Sequence, residues 1–542
     1  MRQNLEIPQG KRKPLYRFLE ILPGALSYGA IILLFILSWL NPVLGAIYLF
    51  TLISATLVKA IGVAYRTIQG YNVIKRAERV DWRQRLTDLE SPHESYERLV
   101  GSGNNSYHFA EHLNNLKLLA TTMERDYPRP SQVYHVVIMT AYNEGIDILD
   151  PSIAAVAKNT FPNDRIIFAL AYEERGGQAI EDTAKALASK YHDTFHHFMI
   201  VKHPANLRGE VKGKGPNLTY AGQAVADYVE KKHIPVENVI VTSLDSDNHM
   251  HPKYLDSVAY EFITHPNRQH LSYQPVSLFT NNIWDAPAPT RVIAVSNSFF
   301  NVITTMRPHV LRNFASHSQP LQALEAMDFW SKRTIVEDGH QYWRSLFFFN
   351  GNYSVLPIRI PIYQDAVLDD TFWKTIKAQF IQVRRWYYGA SDVAYVGSRL
   401  FVPRSKRLMP FWQLFPKFLR LLDGHITLAI MAPIITFGGW VPMIMNISSH
   451  EMVTYNLPNI VSIIETIASI GLFITVLVSF RILPKRPAKY RKGRNVLMIL
   501  QWILMPLTSI LYQSIAAYYA QTRLMLGLYM EKFDVTKKVI RK

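Results

Sequence analysis

Apolar residues crowd the two ends of this chain, while its middle alternates short apolar runs with amphipathic ones. Between Arg17 and Arg66 the only charged residues are Glu20 and Lys59. There "LPGALSYGAIILLFILSWL" and "PVLGAIYLFTLISATLVKAIGVAY" flank Asn41 and Pro42. Both are long enough to cross a bilayer, and the second follows the first too closely for a cleaved signal peptide. The pattern predicts a transmembrane hairpin over residues 1–66. Three more apolar runs follow near the other end, Ile426 to Ile447, Leu457 to Leu483 and Val496 to Ala520. They place transmembrane segments in 425–520 and leave 521–542 as a basic tail. Just before them, "MPFWQLFPKFLRLLDG" sets Phe411, Phe415, Phe418, Leu419 and Leu422 at helical spacing, with Lys417 and Arg420 offset, which predicts an interfacial amphipathic helix over 409–424. Glu465 within the fourth run sits either near the bilayer surface or on a polar path.

Charge orients these segments. The N-terminal "MRQNLEIPQGKRKPLYRF" and the loop "RILPKRPAKYRKGRN" are rich in Lys and Arg, whereas "SSHEMVTYN" has neither, so the basic sides and the large middle region face the cytoplasm. Five crossings then leave the C-terminus outside, at odds with its basic "EKFDVTKKVIRK", unless the Pro433 or Pro506 segment is re-entrant. Overall, 59 Lys and Arg against 42 Asp and Glu give a formal charge of +17, which suits anionic partners: phosphates, nucleic acid or acidic lipid. Much of the basic excess flanks apolar spans and forms no stripe with stacking aromatics on a soluble face, which argues against nucleic acid. The absence of Cys excludes disulfides, thiolate metal sites and thiol nucleophiles.

The middle region, residues 67–408, reads as a doubly wound α/β domain. "HVVIMT", "RIIFALAY", "HFMIVK" and "NVIVTSL" are strand-like, and "PSIAAVAKNT", "QAIEDTAKALASKY" and "NLTYAGQAVADYVEKK" between them are helical. Such domains bind ligands at the carboxyl ends of their strands. "TAYNEG" and "LDSDNHMHPKYL" lie at two such ends. Asp245 and Asp247, one residue apart, project to the same side of an extended segment, where each hinders ionisation of the other unless a cation joins them. Half of a metal site and a solvated acidic turn are both open readings of that pair alone.

Six motifs in order narrow the choice: "VIMTAYNE", "KGKGPNL", "LDSDNHMHPKYL", "IVEDGHQYWR", "QVRRW" and "FDVTKK". Together with spans at both ends they resemble the processive family 2 glycosyltransferases, the group of cellulose, chitin and hyaluronan synthases. The resemblance implies a GT-A-like fold, a nucleotide-diphosphate sugar as donor, UDP-linked, Mg²⁺ or Mn²⁺ as cofactor, inversion at the anomeric carbon, and a growing polysaccharide as acceptor. It also implies a multi-pass place in the cell membrane, among its lipids, and passage of the chain through the enzyme's own spans. A non-processive enzyme acting on a lipid-linked acceptor is the nearest alternative. A membrane scaffold or transporter carrying an inactive α/β domain is a more distant one.

By the same resemblance Asp245 and Asp247 hold the cation, with Asp245 also facing the nucleotide. Tyr142 and Glu144 lie near base and ribose, and Lys214 and Asn217 lie beside the donor. Gln382, Arg385 and Trp386 match Q-x-x-R-W, Arg385 offsetting the leaving group and Trp386 offering a platform to a sugar face, while Arg384 serves either role. Asp338 is the general base, with Glu337, Asp365, Asp369 and Asp370 as competing acids. As plain alternatives, Asp338 caps a helix, Tyr142 is a core aromatic, "KGKG" is a solvated turn, and "RRW" anchors an interface. Two stretches depart from the family: "AYEERGG", with Glu173 and Glu174, replaces an Asp-rich turn, and "SHSQPLQALEAMDFW" replaces a small-residue acceptor stretch.

Overall fold

The computed structural model describes residues 5–122, 126–446 and 483–532, together with residues 456, 459, 463, 480 and 481. Most of the run Leu457 to Leu483, Glu465 within it, and the "FDVTKK" tail lie outside the described residues.

Eight strands form one sheet in the order β3-β2-β1-β4-β7-β6-β8-β5. They are β1 (Tyr134–Ala141), β2 (Ile166–Glu173), β3 (His197–His203), β4 (Val239–Asp245), β5 (His249–Met250), β6 (Leu271–Phe279), β7 (His317–Pro320) and β8 (Ser354–Gln364). The first four pair in parallel. Their near-continuous apolar runs are what a strand covered on both faces requires. Val137 and Met139 of β1 pack with Leu149 and Ile153 of helix Ile146–Ala157 and Ile180 of helix Gln178–Lys190. Val136 and Ile138 face the other way, onto Leu218, Ala221 and Val225 of helix Lys214–Lys231. This is the expected doubly wound α/β arrangement, with helices on both faces of the parallel strands. Beyond β4 the sheet becomes mixed, because β7 enters antiparallel to both β4 and β6, and β8 returns parallel to β6. The four leading strands therefore end together, and the segments after β1, β2 and β4 share one edge.

Among the described residues three helices are long and apolar enough to cross a membrane: Pro14–Leu40, Phe411–Phe437 and Arg494–Leu526. A shorter apolar stretch, Pro42–Ala55, opens a helix that runs on to Arg79 without a break at 66. Asn41 stands between the first two helices, its side chain accepting from the Val43 amide at 2.8 Å. The amphipathic segment after Pro410 and the apolar run after it form one helix, Phe411–Phe437, that passes through Pro416 and Pro433. Leu34, Leu49, Ala429, Ile430 and Ala517 join these helices in one cluster. The last run is irregular, with a π-helical stretch Ser509–Ile515 ahead of the closing turns Ala516–Leu526.

Candidate active site

Helix Lys214–Lys231 starts inside "KGKG", and its first residue is buried. Gly215 permits this: a Cβ there would stand 2.3 Å from the Ser331 carbonyl oxygen and 3.1 Å from Glu337 Cβ. The ammonium of Lys214 meets Asp245 Oδ1 at 2.8 Å and Asp338 Oδ1 at 3.2 Å. Three segments far apart in sequence thus converge on one cation: the glycine loop, the end of β4, and the first turn of helix Glu337–Phe348.

This cation governs the acids around it. Burial works against the charge on Lys214, but Asp245, Asp338 and Glu337 outweigh it and hold the ammonium up. Burial pushes the Asp338 carboxyl up to about 6, with Lys214 and Arg385 opposing the rise and Asp245 adding to it. Glu337, deeper in the protein, is raised further by burial and by Asp338 beside it. A carboxylate made more basic than usual, half-exposed and held by a lysine, is suited to accept a proton. Behind the cluster, burial and then the Lys214 charge drive the His317 imidazole down to about 4, so it stays neutral.

Asp338 does not cap its helix. The helix opens at Glu337 with Val336 as N-cap, so Asp338 lies within the first turn. The capping alternative is thereby excluded, and the amides of that turn favour the ionised carboxylate.

At the "AYNE" turn Glu144 has a structural task. Its Oε2 accepts the amides of Tyr142 at 2.7 Å and Asn143 at 3.1 Å, and its Oε1 accepts the Ser246 hydroxyl at 3.2 Å. It ties the end of β1 to the "DSD" segment. Tyr142 is half-exposed at the strand end, with the Arg175 guanidinium 5.5 Å from its ring, so it is not a core aromatic. Arg175 also pairs with Glu173 in the "AYEERGG" turn. Gly176 is forced there, since a Cβ would stand 1.7 Å from the Tyr142 carbonyl oxygen. Asn217 is buried beneath the strands, its amide donating to the Ala171 carbonyl at 3.0 Å.

Along "DSDNH" the chain turns, the Asn248 amide donating to the Asp245 carbonyl at 3.0 Å, and burial alternates. Asp245, Asp247 and His249 are half-exposed, whereas Leu244, Ser246, Asn248 and Met250 are buried. Both carboxylates are thus partly open to solvent, but a turn carries Asp247 and not the extended segment that the spacing predicts. Their hard oxygen donors fit Mg²⁺ or Mn²⁺ in type, yet among the described residues no group of three His, Asp or Glu side chains could enclose an ion. Asp245 and Asp247 would hold such a cation only with further ligands from beyond the described His, Asp and Glu side chains.

Helix Phe372–Tyr387 carries the "QVRRW" residues. Val383 between them is buried. The two arginines part company: Arg385 acts electrostatically on Glu337 and Asp338, whereas Arg384 lies 5.1 Å from the Tyr519 ring, with Nη1 donating to its hydroxyl at 3.3 Å. Trp386 packs against Phe279 at the end of β6, 6.2 Å between centroids. Gln382 accepts from Gln379 on its own helix at 3.3 Å. Of the competing acids, Asp369 and Asp370 sit at the start of this helix, where the Asp369 amide donates to Thr375 at 3.0 Å.

Three contributors escape sequence reading. Ser316, before β7, receives the Asp245 amide at 3.3 Å and the Asn248 side chain at 2.6 Å. Tyr519 and Arg523, from the last helix, stand beside Arg384, with the Arg523 guanidinium 5.7 Å from the Tyr519 ring. Nothing in their local sequence marks them, since the helix presents them only through tertiary packing.

No family model matches the chain, and no curated protein matches it. Among solved structures it is similar to the mannosyltransferase PcManGT from Pyrobaculum calidifontis in complex with GDP-Man and Mn²⁺, at 12% identity and TM-score 0.41, over 84% of this chain and 99% of that one. It is also similar to S. aureus TarS 1-349 in complex with UDP, at 11% identity and TM-score 0.35, over 74% of this chain and 94% of that one. A third likeness is to GalNAc-T7 with UDP, GalNAc and Mn²⁺, at 10% identity and TM-score 0.32, over 54% of this chain and 58% of that one.

Proposed function

We propose that the protein is a membrane-embedded inverting glycosyltransferase of the family 2 type, which moves a hexosyl unit from a UDP-linked sugar onto a growing polysaccharide. The observation that carries this reading is the Lys214 ammonium held between Asp245 at 2.8 Å and Asp338 at 3.2 Å. It sets a phosphate-binding cation between a carboxylate of the donor site and a carboxylate raised enough to act as a base.

In the reaction Asp338 takes the proton of the acceptor hydroxyl. That oxygen's electron pair forms the new bond to the anomeric carbon, while the bond from that carbon to the diphosphate breaks on the opposite face. Lys214 and Arg385 meet the charge that develops on the departing diphosphate. Bound at Asp245 and Asp247, Mg²⁺ or Mn²⁺ supplies further positive charge to that diphosphate. Glu144 keeps Tyr142 and the "DSD" segment in register for base and ribose, and Trp386 offers a ring face to a sugar. The apolar helices support a multi-pass place in the cell membrane with the α/β domain on the cytoplasmic side, so that the product passes outward between them.

The test incubates membranes with a panel of radiolabelled nucleotide sugars, with and without EDTA, and sizes the product. A ladder of long chains that EDTA abolishes is expected. Full activity in EDTA overturns the metal assignment, and a single lipid-extractable addition replaces polymerisation by transfer to a lipid-linked acceptor.

A further inference from the structure

A groove of about 570 Å³ lies far from the Lys214 cluster in sequence and on different elements, between helix Ala288–Thr305 and the first turns of the helical run 494–526. Two arginines line it. Arg291 is only 2% exposed; its Nε donates to Gln501 Oε1 at 2.6 Å and its Nη1 to the Ala286 carbonyl at 2.6 Å. Arg494 donates through Nη2 to the Trp284 carbonyl at 2.8 Å, and its Nε is buried with no partner among the described residues. The carboxylate at hand, Asp285, is engaged by Lys489 at 2.8 Å and by the Tyr490 hydroxyl. Both guanidiniums therefore rest on neutral oxygens. Burial, and then the charge of Arg494, lowers Arg291 to about 10, as expected for two like charges sharing a site.

Such a pair lacks an anion. Two planar donor forks on either side of a groove suit a phosphate group, which can accept from both. The groove is also half apolar: Leu497, Leu500, Ile503 and Leu504 line it. Ile503 is 75% exposed and Leu500 50%, on a helix long and apolar enough to enter a bilayer. The loop that leads into it, "RILPKRPAKYRKGRN", is strongly basic, which repels a headgroup carrying its own cation and attracts one with net negative charge.

We propose that this groove binds an acidic phospholipid, its phosphate between Arg291 and Arg494 and an acyl chain along Leu497, Leu500 and Ile503. The proposal does not rest on the sugar-transfer reading, although Phe372 at the groove opens the helix that carries Arg385.

The test purifies the full chain from detergent into nanodiscs that contain phosphatidylglycerol or phosphatidylcholine and measures retained lipid by native mass spectrometry. Wild type should retain phosphatidylglycerol over phosphatidylcholine, and excess inorganic phosphate should not displace it. Arg494→Gln, at a half-exposed position that does not threaten the fold, should lower retention about tenfold or more through loss of a charge-assisted contact. Arg291→Gln should do the same, while Lys406→Gln, an exposed basic position elsewhere, should match wild type. Equal retention by Arg494→Gln and wild type overturns the proposal. So does equal retention of phosphatidylcholine, displacement by inorganic phosphate, an equal loss in Lys406→Gln, or a prenyl-chain phosphate as the retained species. No sugar transfer enters the measurement, so failure here leaves the proposed activity untouched.

Discussion

Replacing Asp338 by Asn separates catalysis from folding at the centre of the site. The carboxyl is held at about 6 rather than its usual 3.8, chiefly by burial. An acid whose folded pKa is raised binds more protons folded than unfolded between those values, so its contribution to stability falls as pH rises from about 4 to about 6. At neutral pH that cost is fully present, at most ~3 kcal/mol by the usual conversion. Asn carries no charge and escapes it, and the attraction to Lys214 at 3.2 Å is already within that figure. The thermal midpoint of the variant at pH 7 should therefore be unchanged or higher. Transfer should fall by a factor on the order of a hundred to ten thousand, about 3–5 kcal/mol in the barrier, because no other group takes the acceptor proton. The assay follows product from radiolabelled donor alongside thermal unfolding in the same detergent and donor binding by calorimetry. Transfer within about threefold of wild type, with intact folding and donor binding, would falsify the base assignment and send the search to Asp365, Asp369 and Asp370.

Three further outcomes follow from the same contacts. The wild-type rate should drop as pH falls through about 6, and Lys214→Met, which removes the charge that lowers Asp338, should move that acid limb to higher pH; an unmoved limb refutes the coupling. Arg385→Lys should leave a large deficit in transfer, because a point charge replaces the planar fork. Arg384→Lys, which disturbs a Tyr519 contact, should cost less, and the reverse order in kcat would sink the division of roles. Gly176→Ala, whose Cβ would stand 1.7 Å from the Tyr142 carbonyl oxygen, should weaken nucleotide binding by displacing Tyr142, and unchanged affinity in calorimetry would show that this turn is remote from the nucleotide.

The chain's own pattern determined the parts that depend on neighbours in sequence. A strand covered on both faces must be apolar throughout, so β1, β2 and β4 are legible as Val- and Ile-rich runs, within a residue of their observed ends. Long apolar helices are legible for the same reason, since length and hydropathy are local properties. Pairing is not local. The entry of β7 between β4 and β6 is decided by long-range packing. That entry also brings Ser316 under the Asp245 amide. Nor does a motif say where its neighbours in space lie. "RRW" reads the same for both arginines, and only helix packing sends Arg385 toward Glu337 and Asp338 and Arg384 toward Tyr519. Lys214, Asp245 and Asp338 are each visible as candidates in the sequence. That one buried ammonium holds both carboxylates, and so tempers the rise that burial gives the second, was decided by tertiary structure alone, because the strength of a charge pair depends on distance and burial, which sequence separation does not encode.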